Sequence, residues 1–231
     1  DTRRAAQSYP FSAVVSNRRI RVKVGGGNGV PATATAVILT VTAVNTSGPN
    51  HVTVWPTGEP LPIASNLNLA AGAVNANMVT VKLGSAGSID LEALLPCHLI
   101  VDVLGYYEPV DGAVRGGRYE TLAAPRRVYD SRPAMPRGGS YTTVDLTAYV
   151  PANASAVVVN LTAAGSTAGG HFAALPYDAD TTRPPTTSNL NVSGPGENRA
   201  AAVVVSIRTI GGKRRIRIYT HRSAFVIVDV F

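Results

Sequence analysis

The chain has 231 residues and a formal net charge of +7, with 45% hydrophobic, 15% charged and 6% aromatic residues, 22 Gly and 16 Pro. The abundance of Val, Ile, Leu and Ala argues against a disordered chain, and no apolar run approaches the roughly 20 residues of a membrane-spanning helix. A single cysteine, Cys97, excludes an internal disulfide and reads as a small buried or half-buried thiol.

In chain order, strand signals fall on Arg19–Val24, Ala36–Val44, His51–Pro56, Asn77–Leu83, Ser88–Leu94 and His98–Tyr107. A Pro/Gly-marked linker over residues 109–117 follows. Further strands are predicted at Tyr141–Val150, Ala156–Ala164, His171–Pro176, Ala200–Thr209, Arg214–Thr220 and Ala224–Phe231. These runs are rich in β-branched residues and bounded by Gly, Pro, Asn and Ser. No stretch keeps a helical apolar period, apart from room for one turn in "LTAYVPANA". The pattern predicts an all-β protein of antiparallel β-sandwich or jelly-roll-like domains.

The two sets of strands are one domain written twice. "VPATATAVILTVTAV" from Val30 matches "VPANASAVVVNLTAA" from Val150; "HVTVWP" matches "HFAALP"; "ASNLNL" at 64–69 matches "TSNLNV" at 187–192; "HLIVDVLGYY" matches "FVIVDVF". The order is kept, and the offset runs from 120 (Val30 to Val150) to 129 (Asp1 to Asp130). The predicted boundaries are 1–108 for the first β domain and 118–231 for the second. "DTRR" at Asp1 answers "DSRP" at Asp130, but Tyr119–Tyr129 has no counterpart before Asp1. The first domain is therefore expected to lack its opening strand and to carry an open sheet edge. Such an edge invites pairing with another chain.

Several residues stand out as candidates. Asn66 and Asn68, with Asn189 and Asn191, lie opposite Leu67 and Leu190 in strand alternation, directly after Pro-rich excursions. They are expected to clamp those loops to the sheet; the competing reading is a polar platform for sugar hydroxyls. Asp102 and Asp229, set in apolar "IVDV" runs, need ionic or hydrogen-bonded partners, and Arg3 and Arg132 of the Asp-x-Arg pairs are the expected ones. Trp55, Tyr106, Tyr107 and Tyr177 are the aromatic side chains able to form a ligand platform. The basic clusters holding Arg18, Arg19 and Arg21, and Lys213, Arg214, Arg215 and Arg217, fit a polyanion: nucleic acid, an acidic surface polymer or an acidic protein shell. They equally fit strands with one wet, edge-protecting face.

No metalloprotease, nucleophile-elbow, phosphate-loop or Cys-x-x-Cys motif occurs. His51, His98, His171 and His221 are isolated from one another in sequence. No cofactor, metal or enzymatic activity is expected, and nucleic acid is a disfavoured partner.

Together, "DTR", "VPATATAVILTVTAVN", "TVWPTGEPLPIASNLN", "NMVTVKLG" and "HLIVDVLGYY" resemble a tandem β repeat of secreted actinobacterial surface proteins. The resemblance covers nearly the whole chain, twice, and is weaker in the second copy, where the Gly-Tyr of "DVLGYY" is absent. It implies an extracellular or cell-surface location, and a repeat that opens with a strand ending in Asp-Thr-Arg. It assigns no activity to any residue. The expected role is a non-enzymatic structural or adhesive module of an extracellular surface or particle, self-associating or partner-bound. The alternatives are a carbohydrate-binding module accessory to a secreted hydrolase and a decoration or accessory protein of a phage virion.

Overall fold

The structure is a computed structural model that describes residues 19–27, 29–63, 65–109, 119, 122 and 126–230. It is all-β. Among the described residues there is no α-helix, only a short 3-10 turn at Ser85–Gly87. The chain divides into two compact units, residues 1–114 and 115–231.

In the first unit the strands are β1 (Ile20–Lys23), β2 (Ala36–Val44), β3 (Asn50–Pro56), β4 (Leu67–Leu69), β5 (Asn75–Lys82), β6 (Ser88–Ala93) and β7 (His98–Tyr107). They form two antiparallel sheets, ordered β1-β6-β3-β4 and β5-β2-β7. Strand β2 is apolar along nearly its whole length because it is the centre of its sheet; Val37, Leu39, Val41 and Ala43 are fully buried. They meet Val52, Ile89, Leu91 and Leu67 of the other sheet in one core. Burying each such side chain contributes about 1.5–3 kcal/mol.

The second unit repeats this plan with β8 (Arg126–Asp130), β9 (Ser140–Asp145), β10 (Ala156–Ala164), β11 (Gly170–Pro176), β12 (Leu190–Val192), β13 (Arg199–Ser206), β14 (Arg208–Ile210), β15 (Lys213–Thr220) and β16 (Phe225–Val230). One sheet runs β13-β10-β16-β8; the other joins β12, β11, β15, β14 and β9. Its core gathers Val159, Leu161, Phe172, Leu190, Val203, Ile216, Ile218 and Val228. The hairpin between β14 and β15 turns on Gly211 and Gly212, both at positive φ (58° and 73°). That is the backbone a two-residue turn between twisted strands requires.

The structure departs from the sequence reading at several strand ends. The run predicted at Tyr141–Val150 stops at Asp145, and the chain then makes a single turn in which Tyr149 N–H and Val150 N–H donate to Leu146 O. The run at Ala200–Thr209 is two strands: the first follows β10 in register as far as Ile207, whose N–H donates to Ser155 O, and from Arg208 the chain crosses to pair with β15 of the other sheet. Each Ser-Asn-Leu-Asn segment contributes a three-residue strand of its own, β4 and β12.

Candidate functional site

The asparagines have unequal work. Asn66 N–H donates to Val52 O, and its Oδ1 accepts from Val54 N–H at 2.7 Å. Asn189 repeats both bonds, with Phe172 O and with Ala174 N–H at 2.8 Å. Each side chain thus continues the ladder where the chain swings away into its Pro-rich excursion. Asn191 is buried, with Nδ2 donating to Ser188 Oγ, whereas Asn68 is exposed.

The expected pairing of Asp229 with Arg132 is not what the structure holds. Arg132 closes onto Asp130 within its own Asp-x-Arg motif. Asp229 instead accepts from Arg127 Nε at 2.9 Å, one strand away on β8. A side chain leaving β8 directly opposite Asp229 reaches it without bending, while Arg132 has already turned into the following loop. The Arg132 hydrogen bonds hold the Asp130 carboxyl well below the usual carboxylate range. Asp102, the equivalent of Asp229, is half-buried on β7; Arg3 and Arg18 lie outside the described residues.

The aromatic candidates separate cleanly. Trp55 points away from the core yet is only 2% exposed, because Arg19 lies over its ring (5.0 Å) and its Nε1–H donates to Glu59 O. It offers no open platform. Tyr177 is half-buried beneath Arg215 and Arg217, at 5.3 and 4.4 Å. Tyr106 and Tyr107, each 43% exposed, are at the C-terminal end of β7, paired with β2.

Most described side chains of the basic clusters have a partner within the fold, while Arg19, Arg21 and Lys213 remain 45%, 59% and 56% exposed. Arg21 Nε donates to the fully buried Asp90 at 3.0 Å, and Arg19 is 3.6 Å from the same carboxylate. Lys213 faces Asp145, the Arg214 guanidinium donates to Thr147 O, and Arg217 Nη1 donates to Ala179 O at 3.0 Å. Arg214 and Arg217 fasten loops to the sheet, whereas Arg21 and Lys213 bridge neighbouring strands. Cys97 is buried beside Asn50, and burial pushes its thiol up to about 11. No group of three or more His, Cys, Asp or Glu side chains able to hold a metal occurs among the described residues. No helix among them is long and apolar enough to cross a membrane.

One difference between the two copies lies at a sheet edge. Thr40 pairs with Asp102 as Asn160 pairs with Asp229, so β7 and β16 are equivalent strands. Strand β16 is covered on its far side by β8, with Val228 opposite Tyr129 and Val230 opposite Arg126. No described strand borders the far side of β7. The consequence is visible in burial: Val230 is 2% exposed and Val228 fully buried, whereas Val103 is 40% exposed and Val101 half-buried. An apolar strand edge in that state is suited to accept another strand.

Compared with known proteins, the chain matches no family model, and no curated protein matches it significantly.

Proposed function

We propose that the protein is a non-enzymatic structural or adhesive module of an extracellular surface or particle, and that it works by strand addition at the far edge of β7, from Val103 to Tyr107. A single observation carries this reading: the equivalent edge of the second copy is filled by β8, while Val103, Tyr106 and Tyr107 stand exposed. An extended segment of another chain adding there would satisfy backbone groups and cover Val103 together. The engaged state of the arginines fits a module that keeps its own loops fixed rather than one that grips a polyanion. A carbohydrate-binding role is the second reading, favoured by the two exposed tyrosines side by side in sequence on β7.

The experiment uses a peptide with the sequence of residues 119–130, "YETLAAPRRVYD". Its binding is followed by amide signals of the full chain, and particle size by light scattering. The expected result is saturable binding that slows amide exchange from Val103 to Tyr107 and raises the melting temperature of the first unit. A chain monomeric at high concentration, with neither binding nor added stability, would defeat the edge reading. Chitin or cellulose fragments perturbing Tyr106 and Tyr107 in its place would select the carbohydrate reading.

A further inference from the structure

A second surface differs between the copies, on the opposite sheet of the first unit. A groove of about 340 Å³ lies on the outer face of β3, β4 and β6. Its floor carries His51 opposite Asn68 and Thr53 opposite Glu92. Its apolar wall is made by Leu61, Ile63 and Leu94, all exposed. The side chains of His51, Asn68 and Glu92 make no hydrogen bond to any described residue.

The second copy shows what this place in the fold accommodates. Thr53 and Ala173 are equivalent, and their cross-strand partners are Glu92 and Tyr219. Leu94 N–H donates to His51 O as His221 N–H donates to His171 O, so Leu94 stands where His221 does. In the second unit the space is filled from within. The Tyr219 ring, 2% exposed, packs 5.0 Å from Tyr141 and 5.5 Å from His171, which stacks on His221 at 4.6 Å. The loop above is drawn down by Tyr141, whose hydroxyl donates to Arg183 O at 2.6 Å. In the first unit the histidine is kept, but a carboxylate replaces the ring and the wall is left open.

The geometry points to a docking groove for a tyrosine side chain carried on a basic segment of a partner protein. The ring takes the place that Tyr219 fills in the second unit, against His51 and the Leu61–Ile63 wall. Among the described residues, Glu92 is the only acidic side chain lining the groove, in a chain of net charge +7. It accepts from the phenol hydroxyl and attracts the neighbouring cation. An aromatic ring fits this wall better than a pyranose does, because none of its large side chains offers the flat aromatic face on which sugars stack. The groove lies on the sheet that does not contain β7, so this inference stands independently of strand addition there.

The test titrates the full chain with the peptide Arg-Gly-Tyr-Gly-Arg and with versions bearing Phe or Ala at the centre, reading methyl and amide signals. Glycine spacing keeps the probe from adding as a strand. Ile63 and Thr53 signals are expected to move with the Tyr peptide, less with Phe and not with Ala, while Val103 stays still. Glu92→Gln is expected to weaken Tyr-peptide binding about tenfold, the effect of losing a charged hydrogen-bond acceptor. Equal shifts with the Ala peptide, no shift at millimolar peptide, or shifts produced only by oligosaccharides would each overturn the proposal. The wild-type comparison among the three peptides decides it even where a variant misbehaves.

Discussion

At the scale of single residues, the two copies show which side chains the fold cannot spare. Asn189 Oδ1 holds the Ala174 N–H in a buried setting. Asn189→Ala leaves that donor unpaired, and the expected loss is about 1–3 kcal/mol in urea unfolding. Asn66→Ala acts in the same direction at Val54 N–H. A loss under about 0.5 kcal/mol at both positions would mean that water replaces the amide without cost. His171 gives the second unit a pH dependence. Burial, then the neighbouring His221, lower its pKa to about 4 from an ordinary 6.5, and burial also lowers that of His221. The unfolded chain therefore takes up these protons first. The stability contribution is present above about pH 6.5 and is lost as pH drops toward about 4. His171→Phe, which keeps a ring against Tyr219, is expected to flatten most of that slope. An unchanged slope in thermal melts between pH 7 and 4.5 would show that the imidazole is not its source.

At the scale of elements, the joints are as demanding as the strands. Gly84 follows β5 and sits against the end of β3, where an added Cβ would lie 2.1 Å from Thr57 O and 2.3 Å from Thr57 N. Neither atom belongs to a flexible side chain, so Gly84→Ala is expected to cost the first unit 3 kcal/mol or more on the order-of-magnitude scale of backbone clashes. A calorimetric melt that leaves the first unit in place would refute this. The long strands were legible in the sequence because their β-branched runs are bounded by Gly and Pro, as in Ala36–Val44 and Ala156–Ala164. Less was legible where a tertiary contact decides the outcome. Strands β4 and β12 are too short to show a period, and the run through Ile207 divides only because Arg208–Ile210 leaves β10 to pair with β15 of the other sheet. Asp229 finds Arg127, 102 residues away, through register alone. Trp55 carries an outward position in its alternation but is sealed by Arg19 and Glu59, which no local pattern announces. The groove beside His51 emerges only from cross-strand pairs, by which Glu92 answers Tyr219.

At the scale of the whole molecule, each unit closes its own hydrophobic core from its own strands. A fragment of residues 115–231 is accordingly expected to fold alone, with a β-type circular dichroism spectrum and cooperative unfolding. A fragment that binds hydrophobic dye and melts without a transition would show that the units depend on each other. Tandem copies this similar face a hazard during synthesis, since a strand of one can pair within the other. The charged position shared by β6 and β15 is expected to guard against it. Trp55 pairs with Asp90 as Leu175 pairs with Arg217, so the two copies carry opposite charges at one place. Asp90 is matched by Arg21, and Arg217 by Ala179 O and the Tyr177 ring. If β15 were taken up by the first unit, Arg217 would meet Arg21 and Arg19 at a site shielded from water. If β6 entered the second unit, Asp90 would be buried beside Thr143 without its cation. Each wrong exchange strands a charge, at a cost of several kcal/mol. The inversion is therefore expected to work as an identity mark, by which each half of a duplicated chain rejects the other's strands while it folds.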